Sequence, residues 1–308
     1  MPSVLWAGAR KKGAVRMLLG ATLDQLSYEL SCGLPRGDME TASDPSLFNL
    51  DPEVKEEKIS FTEGGAEIGL LERGSSSVWA RDADGRRVSY PMALSTAESV
   101  LAQLQEPHRF PQLSALRQEI LGWRFYHHFR TDPDAPLRHP QVGVRTPVLG
   151  HDGRDLAAAL QTIKEIGDRD GLAEAIDAAF PGATLRIEAP RARFSLLLRM
   201  PGFVGPFDTR ELSDGTLRYL CLLAALLSPR PPAVLALNEP ETSIHPDLVE
   251  PLAHLILRAS RSSQIWITTH SEPLAQQIER HSGAAPIRLE KVDGETRIVG
   301  QRLIEPDE

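Results

Sequence analysis

The sequence predicts an α/β protein with a mostly parallel core sheet, an antiparallel β-rich N-terminal lobe and an inserted helical lobe. Three observations carry this. Residues 212–279 alternate short apolar runs with stretches of helical periodicity, the pattern of parallel strands joined by helices. The first ninety or so residues hold short β-type segments divided by turn residues. From Ser95 onward the apolar spacing becomes helical. The predicted boundaries are 1–94 for the β-rich part, 95–184 for the helical lobe and 185–308 for the core.

Residues 14–34 predict two strands turning at 22–25, and segments 58–61, 67–73 and 77–81 predict three more. Asp82-Ala-Asp-Gly85 is a hairpin signal. The polar stretch 37–57, broken by Pro45 and Pro52, predicts a loop. Ser95-Thr-Ala-Glu98 has the form of a capping box feeding Val100, Leu101 and Leu104. Helical spacing continues over 113–129, followed by an irregular proline-rich stretch over 131–147. Helices are predicted over 155–166 and 172–180, and a strand pair over 185–188 and 194–199.

The core then reads as helix 216–227, strand 233–237, helix 247–259, strand 264–268 and helix 272–279. Tyr219, Leu220, Leu223, Leu226 and Leu227 form the apolar face of the first of these helices. Val292-Asp-Gly-Glu295 predicts a closing hairpin. A parallel sheet is expected to be covered on both faces, with ligands beyond the carboxyl ends of its strands. Asn238, Glu239 and His270 fall at such ends.

Composition sets limits. Of 308 residues, 41% are hydrophobic and 25% charged, and no apolar run is long enough to cross a bilayer. The formal net charge of −8, from 34 basic and 42 acidic residues, gives no global pull toward nucleic acid or an anionic membrane. Cys32 and Cys221 fit a reducing compartment and provide neither a disulfide framework nor a metal cluster. Arg10, Lys11 and Lys12 precede no apolar signal segment, so the expected location is cytoplasmic.

Three segments carry the chemistry. Glu211-Leu-Ser-Asp-Gly-Thr216 places small and capping residues before an apolar helix, where exposed amides and the helix dipole suit a phosphate. By itself this is also an ordinary cap and turn. Ala233-Val-Leu-Ala-Leu-Asn-Glu239 is an apolar strand ending on an amide and a carboxylate. Ile265-Trp-Ile-Thr-Thr-His-Ser271 is a second strand ending on a histidine.

In that order and spacing the three segments resemble the ABC-type ATPases. Leu212-Ser-Asp-Gly-Thr216 is similar to their signature loop and Val234-Leu-Ala-Leu-Asn-Glu239 to a Walker B strand. Ser243-Ile-His-Pro246 resembles the D-loop, and Thr268-Thr-His270 the switch histidine. The run 237–248 resembles bacterial predicted ATPases of the SMC/RecF-like group within the AAA family. Ser3-Val-Leu-Trp-Ala-Gly8 and Arg81-Asp-Ala-Asp-Gly-Arg86 extend the likeness along the chain.

The resemblance implies a P-loop NTPase fold that binds ATP and Mg²⁺ between two copies of the chain. It implies that Glu239 activates the attacking water and that His270 senses the γ-phosphate. It implies that Ser213, Asp214 and Gly215 contact the γ-phosphate bound by the other copy, with Ser243 and His245 beside them. Asn238 stands where many relatives have an aspartate for Mg²⁺; an amide can hold a metal-bound water but adds no charge. DNA or a partner protein is a further expected ligand, and no membrane is.

One family motif is missing. The lysines are Lys11, Lys12, Lys55, Lys58, Lys164 and Lys291, and none completes G-x-x-x-x-G-K-S/T. Gly8-Ala-Arg-Lys-Lys-Gly13 has the wrong order and Leu149-Gly-His-Asp-Gly153 lacks lysine. The P-loop strand is therefore expected to be missing, through a late start of the sequence rather than loss in a degenerate relative. The strand at 264–268 is then expected to face an unfilled slot, leaving the chain alone poorly soluble and weak in ATP binding. The other possibility is a catalytically inactive relative acting as a protein or nucleic-acid interaction module. Arg117, Arg124, Arg130, Arg138 and Arg145, interleaved with Trp123, Phe125 and Tyr126, could form a stacking surface for nucleic acid. The simpler reading is a solvated arginine face on an amphipathic helix. His127-His128 has no metal-site spacing.

Overall fold

The computed structural model describes residues 16–35, 51–74, 77–89, 94–292 and 294–300. Ser3–Gly8, Gly8–Gly13, Pro45 and Asp293 of the closing turn lie outside these. The chain forms two compact units, one holding the residues up to Leu121 together with those from Ile287, the other spanning Gly122–Pro286.

The first unit is an antiparallel meander of β1 (Arg16–Leu23), β2 (Leu26–Gly33), β3 (Glu53–Glu63), β4 (Ala66–Arg73), β5 (Val78–Arg81) and β6 (Arg87–Ser89), paired in sequence order. Asp24 takes φ 48° in the first turn, a left-handed conformation that aspartate tolerates. Asp82 builds the predicted hairpin by accepting from the amides of Asp84 (3.1 Å) and Arg86 (2.8 Å). Residues 53–57 were expected in a loop, but alternating burial against β2 extends β3 through them. The helices α1 (Val100–Gln103) and α2 (Pro111–Gly122) close the core, where Val100, Leu101, Phe110 and Leu116 meet Ile59, Leu71 and Ala80. The expected capping box is displaced. Ser99 caps α1 by accepting from the Ala102 amide, whereas the Ser95 hydroxyl accepts from Ala97 within a turn.

A buried acid ties the sheet to this segment. Glu57 is 1% exposed; it accepts from the Val100 amide at 2.6 Å and the Tyr28 hydroxyl at 3.0 Å. Arg73 reaches the carbonyls of Ser95 and Glu98, each at 2.8 Å. Burial raises the Glu57 carboxyl above its ordinary value of 4.5, and its hydrogen bonds offset only part of that. The folded state therefore holds this proton more tightly than the unfolded state. Stability from Glu57 is present at or below pH 4.5 and is lost as pH rises through the raised value. Urea unfolding across that range is expected to show the wild type losing stability relative to Glu57→Gln as the pH increases. A constant difference between the two proteins would contradict this.

The second unit holds β7 (Arg124–Tyr126), β8 (Gln141–Val142), α3 (Leu156–Ile166), α4 (Arg169–Ala179), β9 (Thr184–Glu188), β10 (Arg193–Arg199) and β11 (Phe207–Asp208). It continues with α5 (Asp214–Leu226), β12 (Val234–Asn238), α6 (Val249–Ala259), β13 (Gln264–Thr268) and α7 (Glu272–Ser282). The hairpin of β14 (Leu289–Val292) and β15 (Glu295–Ile298) belongs to the first unit. Strands β8 to β11 form an antiparallel sheet around β10. Every residue of α5 from Leu217 to Leu226 is buried, so this is a core helix rather than one with a single apolar face.

The parallel sheet has the order β13-β12-β7. Its third strand falls within 113–129, where the sequence predicts a helix. Past Gly122 the aromatic residues favour extended chain, and Phe125 and Tyr126 pair with Ala236 and Leu237. One face carries Leu235, Leu237, Tyr126, Ile265 and Ile267 into the core formed with α5 and α6. The other presents Phe125, Ala236 and Trp266 in a row, with Phe125 56% and Trp266 66% exposed. Among the described residues only one face of this sheet is covered, where both were expected to be. Among the described residues β13 pairs only with β12, which makes it an edge strand.

Candidate functional site

The carboxyl ends of β12 and β13 are joined side by side. Thr268 Oγ1 donates to Asn238 Oδ1 at 2.7 Å, and the Glu239 amide donates to the Thr268 carbonyl at 2.8 Å. Glu239 has φ 43° immediately before Pro240. A non-glycine residue held there costs about 1–3 kcal/mol and persists only where its surroundings fix it. Its carbonyl accepts from the Thr242 amide at 3.1 Å and from Arg218 Nη2 at 3.0 Å. The carboxylate that results points at His270, with Nε2 3.6 Å from Oε1, while the Thr242 hydroxyl donates to Oε2 at 3.3 Å. The His270 side chain is 91% exposed and that of Glu239 41%, so the pair opens beyond the strand ends.

The loop before α5 is built separately. Ser213 caps the helix by accepting from the Thr216 amide at 3.1 Å, and the two hydroxyls lie 2.9 Å apart. Asp214 and Gly215 form the first turn, at the positive end of the helix dipole. Gly215 packs against the turn after β12 so closely that a Cβ would run into the Ser243 carbonyl oxygen. Ser243 itself is left-handed, with φ 65°. His245 caps the following turn by accepting from the Asp247 amide at 3.3 Å. The structure thus joins Asn238, Glu239 and His270 in one cluster, and Gly215 and Ser243 in another. No hydrogen bond or ion pair links the 213–215 loop to Glu239 or His270 among the described residues.

Residues 92–275, more than half of the chain, match the family described as "AAA domain, putative AbiEii toxin, Type IV TA system". The chain belongs to this AAA-domain family. Membership makes it an AAA-type, ATPase-like nucleotide-binding domain, built here with one parallel sheet and separate antiparallel ones. Similar solved structures include an Smc head domain with coiled coil and joint from Pyrococcus yayanosii. It shows 18% identity and TM-score 0.37 over 46% of this chain and 27% of that one. The SMC head from Thermotoga maritima has 16% identity and TM-score 0.37 over 80% of this chain and 74% of that one. The ScpA-bound Smc head derived from Pyrococcus furiosus has 11% and 0.39 over 89% and 77%. No curated protein matches the chain.

In this AAA domain the arginines expected on one solvated helix face are dispersed. Arg124 is in β7, Arg130 is paired with Asp132 in a loop, and Arg138 is 7% exposed. The interleaved aromatics form no common platform either, since Tyr126 is buried and donates to the Leu149 carbonyl at 2.8 Å. Among the described residues no group of three or more His, Cys, Asp and Glu could hold a metal ion, and no helix could cross a membrane.

Arg138 has a structural task that the sequence did not reveal. Its guanidinium donates to the carbonyls of Thr131 (2.9 Å), Thr209 (2.8 Å) and Leu212 (2.9 Å), and to Asp214 Oδ1 at 2.5 Å. Thr209 returns a hydrogen bond to the Arg138 carbonyl at 2.8 Å. The loop's carbonyls are therefore drawn inward, and a carboxylate that would repel phosphate at the helix start is offset by a cation. Arg218, Glu241 and Thr269 were also missed. Thr269 Oγ1 donates to Glu241 Oε1 at 2.5 Å, joining the turn after β12 to the segment carrying His270.

The chemistry of the donor set at the strand ends fits a hydrated Mg²⁺. An amide oxygen, a carboxylate and a hydroxyl lie together at adjacent strand ends, suiting a hard cation held through water.

Proposed function

We propose that the chain is an ATP-binding and ATP-hydrolysing head of the ABC and SMC type, with nucleotide held between two copies. One observation carries this reading: Glu239 and His270 stand 3.6 Å apart at the ends of neighbouring parallel strands and face open space. Glu239 takes the proton of the attacking water, and His270 and the Thr242 hydroxyl aim its carboxylate. Asn238, oriented by Thr268, would hold Mg²⁺ through water, and the ion would supply neutralisation of phosphate charge. Ser213 and the amides at Asp214 and Gly215 receive the γ-phosphate from the second copy, with the 243–245 turn as their support. His270 would contact the γ-phosphate of the nucleotide at its own strand ends, beside Glu239. The division of the head into 1–94, 95–184 and 185–308 belongs to this reading.

The test is light scattering and phosphate release with Mg–ATP. The 308 residues alone are expected to bind ATP weakly; the protein carrying an upstream G-x-x-x-x-G-K-S/T segment is expected to pair only with nucleotide, and Ser213→Arg in it to abolish pairing by blocking the loop. A mass that ignores ATP, with no phosphate released, would reject the reading. It would favour the second one, an interaction module, which draws on the lack of G-x-x-x-x-G-K-S/T in the 308 residues.

A further inference from the structure

Arg218 lies in the second turn of α5, and its side chain is buried, 6% exposed. Burying a guanidinium is costly unless its hydrogen bonds are met, and here they are met unevenly. Nη2 donates to the Glu239 carbonyl at 3.0 Å, Nη1 stands 3.5 Å from His128 Nδ1, and Nε has no partner. The well-formed bond is thus spent on the Glu239 peptide, one of five non-glycine positions with positive φ among the described residues. Glu241 supplies the largest favourable charge on the guanidinium, ahead of Glu239, although burial dominates and lowers its basicity.

Two donors, Arg218 Nη2 and the Thr242 amide, meet on the Glu239 carbonyl. That carbonyl sets the direction of the peptide and so of the side chain. Relaxation of Glu239 to an ordinary φ would swing the carbonyl away from both donors and turn the carboxylate off His270. We propose that Arg218 is the positioning residue of this site, fixing the strained Glu239 peptide and tying its aim to the helix that begins at Ser213. The same helix carries, at its first turn, the loop assigned to the second copy's phosphate, and Gly215 there is wedged against Ser243. Docking at the loop and alignment of the carboxylate are then linked within one rigid element. The catalytic consequence rests on the ATPase reading; the hold on the peptide does not.

Amide hydrogen exchange of the full chain tests the hold without nucleotide. Arg218→Met is expected to speed exchange over residues 238–244 by about tenfold or more, with α6 unchanged, because a local opening has been freed. Arg218→Lys, which can offer the carbonyl one donor, is expected to restore part of the protection. In a Glu239→Gly background the effect of Arg218→Met should shrink to about threefold or less, since glycine adopts the left-handed conformation without strain. Unchanged exchange over 238–244, an equal rise in α6, or the same effect in the glycine background overturns the proposal. If Arg218→Met does not fold, Arg218→Lys is compared in the two backgrounds by the same criteria. Phosphate release is read in parallel, where Arg218→Met should lower kcat with KM retained. Wild type that releases no phosphate while the exchange pattern holds would remove the ATPase reading and leave the positioning role.

Discussion

Glu239→Gln is expected to lower ATP turnover by about 10²–10⁴-fold, the range that a positioned general base contributes. Glutamine has the same shape and can keep the bond from the Thr242 hydroxyl, now at 3.3 Å, by presenting its carbonyl oxygen. Its amide can face the His270 ring. What is lost is the ability to take a proton. Pairing of two copies around nucleotide does not depend on that step, so the variant should pair with ATP at least as persistently as wild type. Steady-state phosphate release and light scattering measure the two halves separately. Turnover within about threefold of wild type would assign the water-activating role elsewhere, because so small a change lies far below a general base's share.

Removal of Arg138 should give the largest loss of stability. Arg138→Met is expected to cost about 3–5 kcal/mol, since each buried carbonyl left without a donor costs about 1–3 kcal/mol. The carbonyls of Thr131, Thr209 and Leu212 all lose theirs. Asp214, with a side chain 60% exposed, recovers water and adds little. Asp214→Asn should therefore be close to neutral in stability while Arg138→Met is not. Urea unfolding of both variants checks the contrast. Equal, small losses would mean that the loop before α5 keeps its shape without the guanidinium.

Much of the second unit was legible because its signals are local. The apolar runs at 233–237 and 264–268 end on polar residues, and the structure has strands there with Asn238 and Thr268 bonded across their ends. The helices at 155–166 and 247–259 were visible through their periodicity and are present within a residue or two. Strand β7 was not, because three residues are too few to show an alternation and an apolar stretch at helical spacing precedes them. Ser99 was overlooked as a cap since Ser95 and Glu98 match the same pattern four residues earlier. Arg138 and Arg218 escaped for a deeper reason. Nothing in a sequence distinguishes an arginine that reaches carbonyls 70 or more positions away, as at Thr209, from one that extends into water. The left-handed Glu239 escaped likewise, since a residue preceding proline is expected in extended chain.

The solvated row of Phe125, Ala236 and Trp266 gives the molecule an optical handle of its own. An indole 66% open to water emits in a polar environment and is reachable by iodide. It sits on the same strand as Thr268, whose hydroxyl is bonded to Asn238 at 2.7 Å. Any polypeptide or ligand that settles over this side of the sheet must shift the Trp266 emission to the blue and shield it from the quencher. Events at the strand ends can therefore be followed by intrinsic fluorescence without an attached dye, with Trp266→Phe as the control that subtracts the emission of Trp6, Trp79 and Trp123.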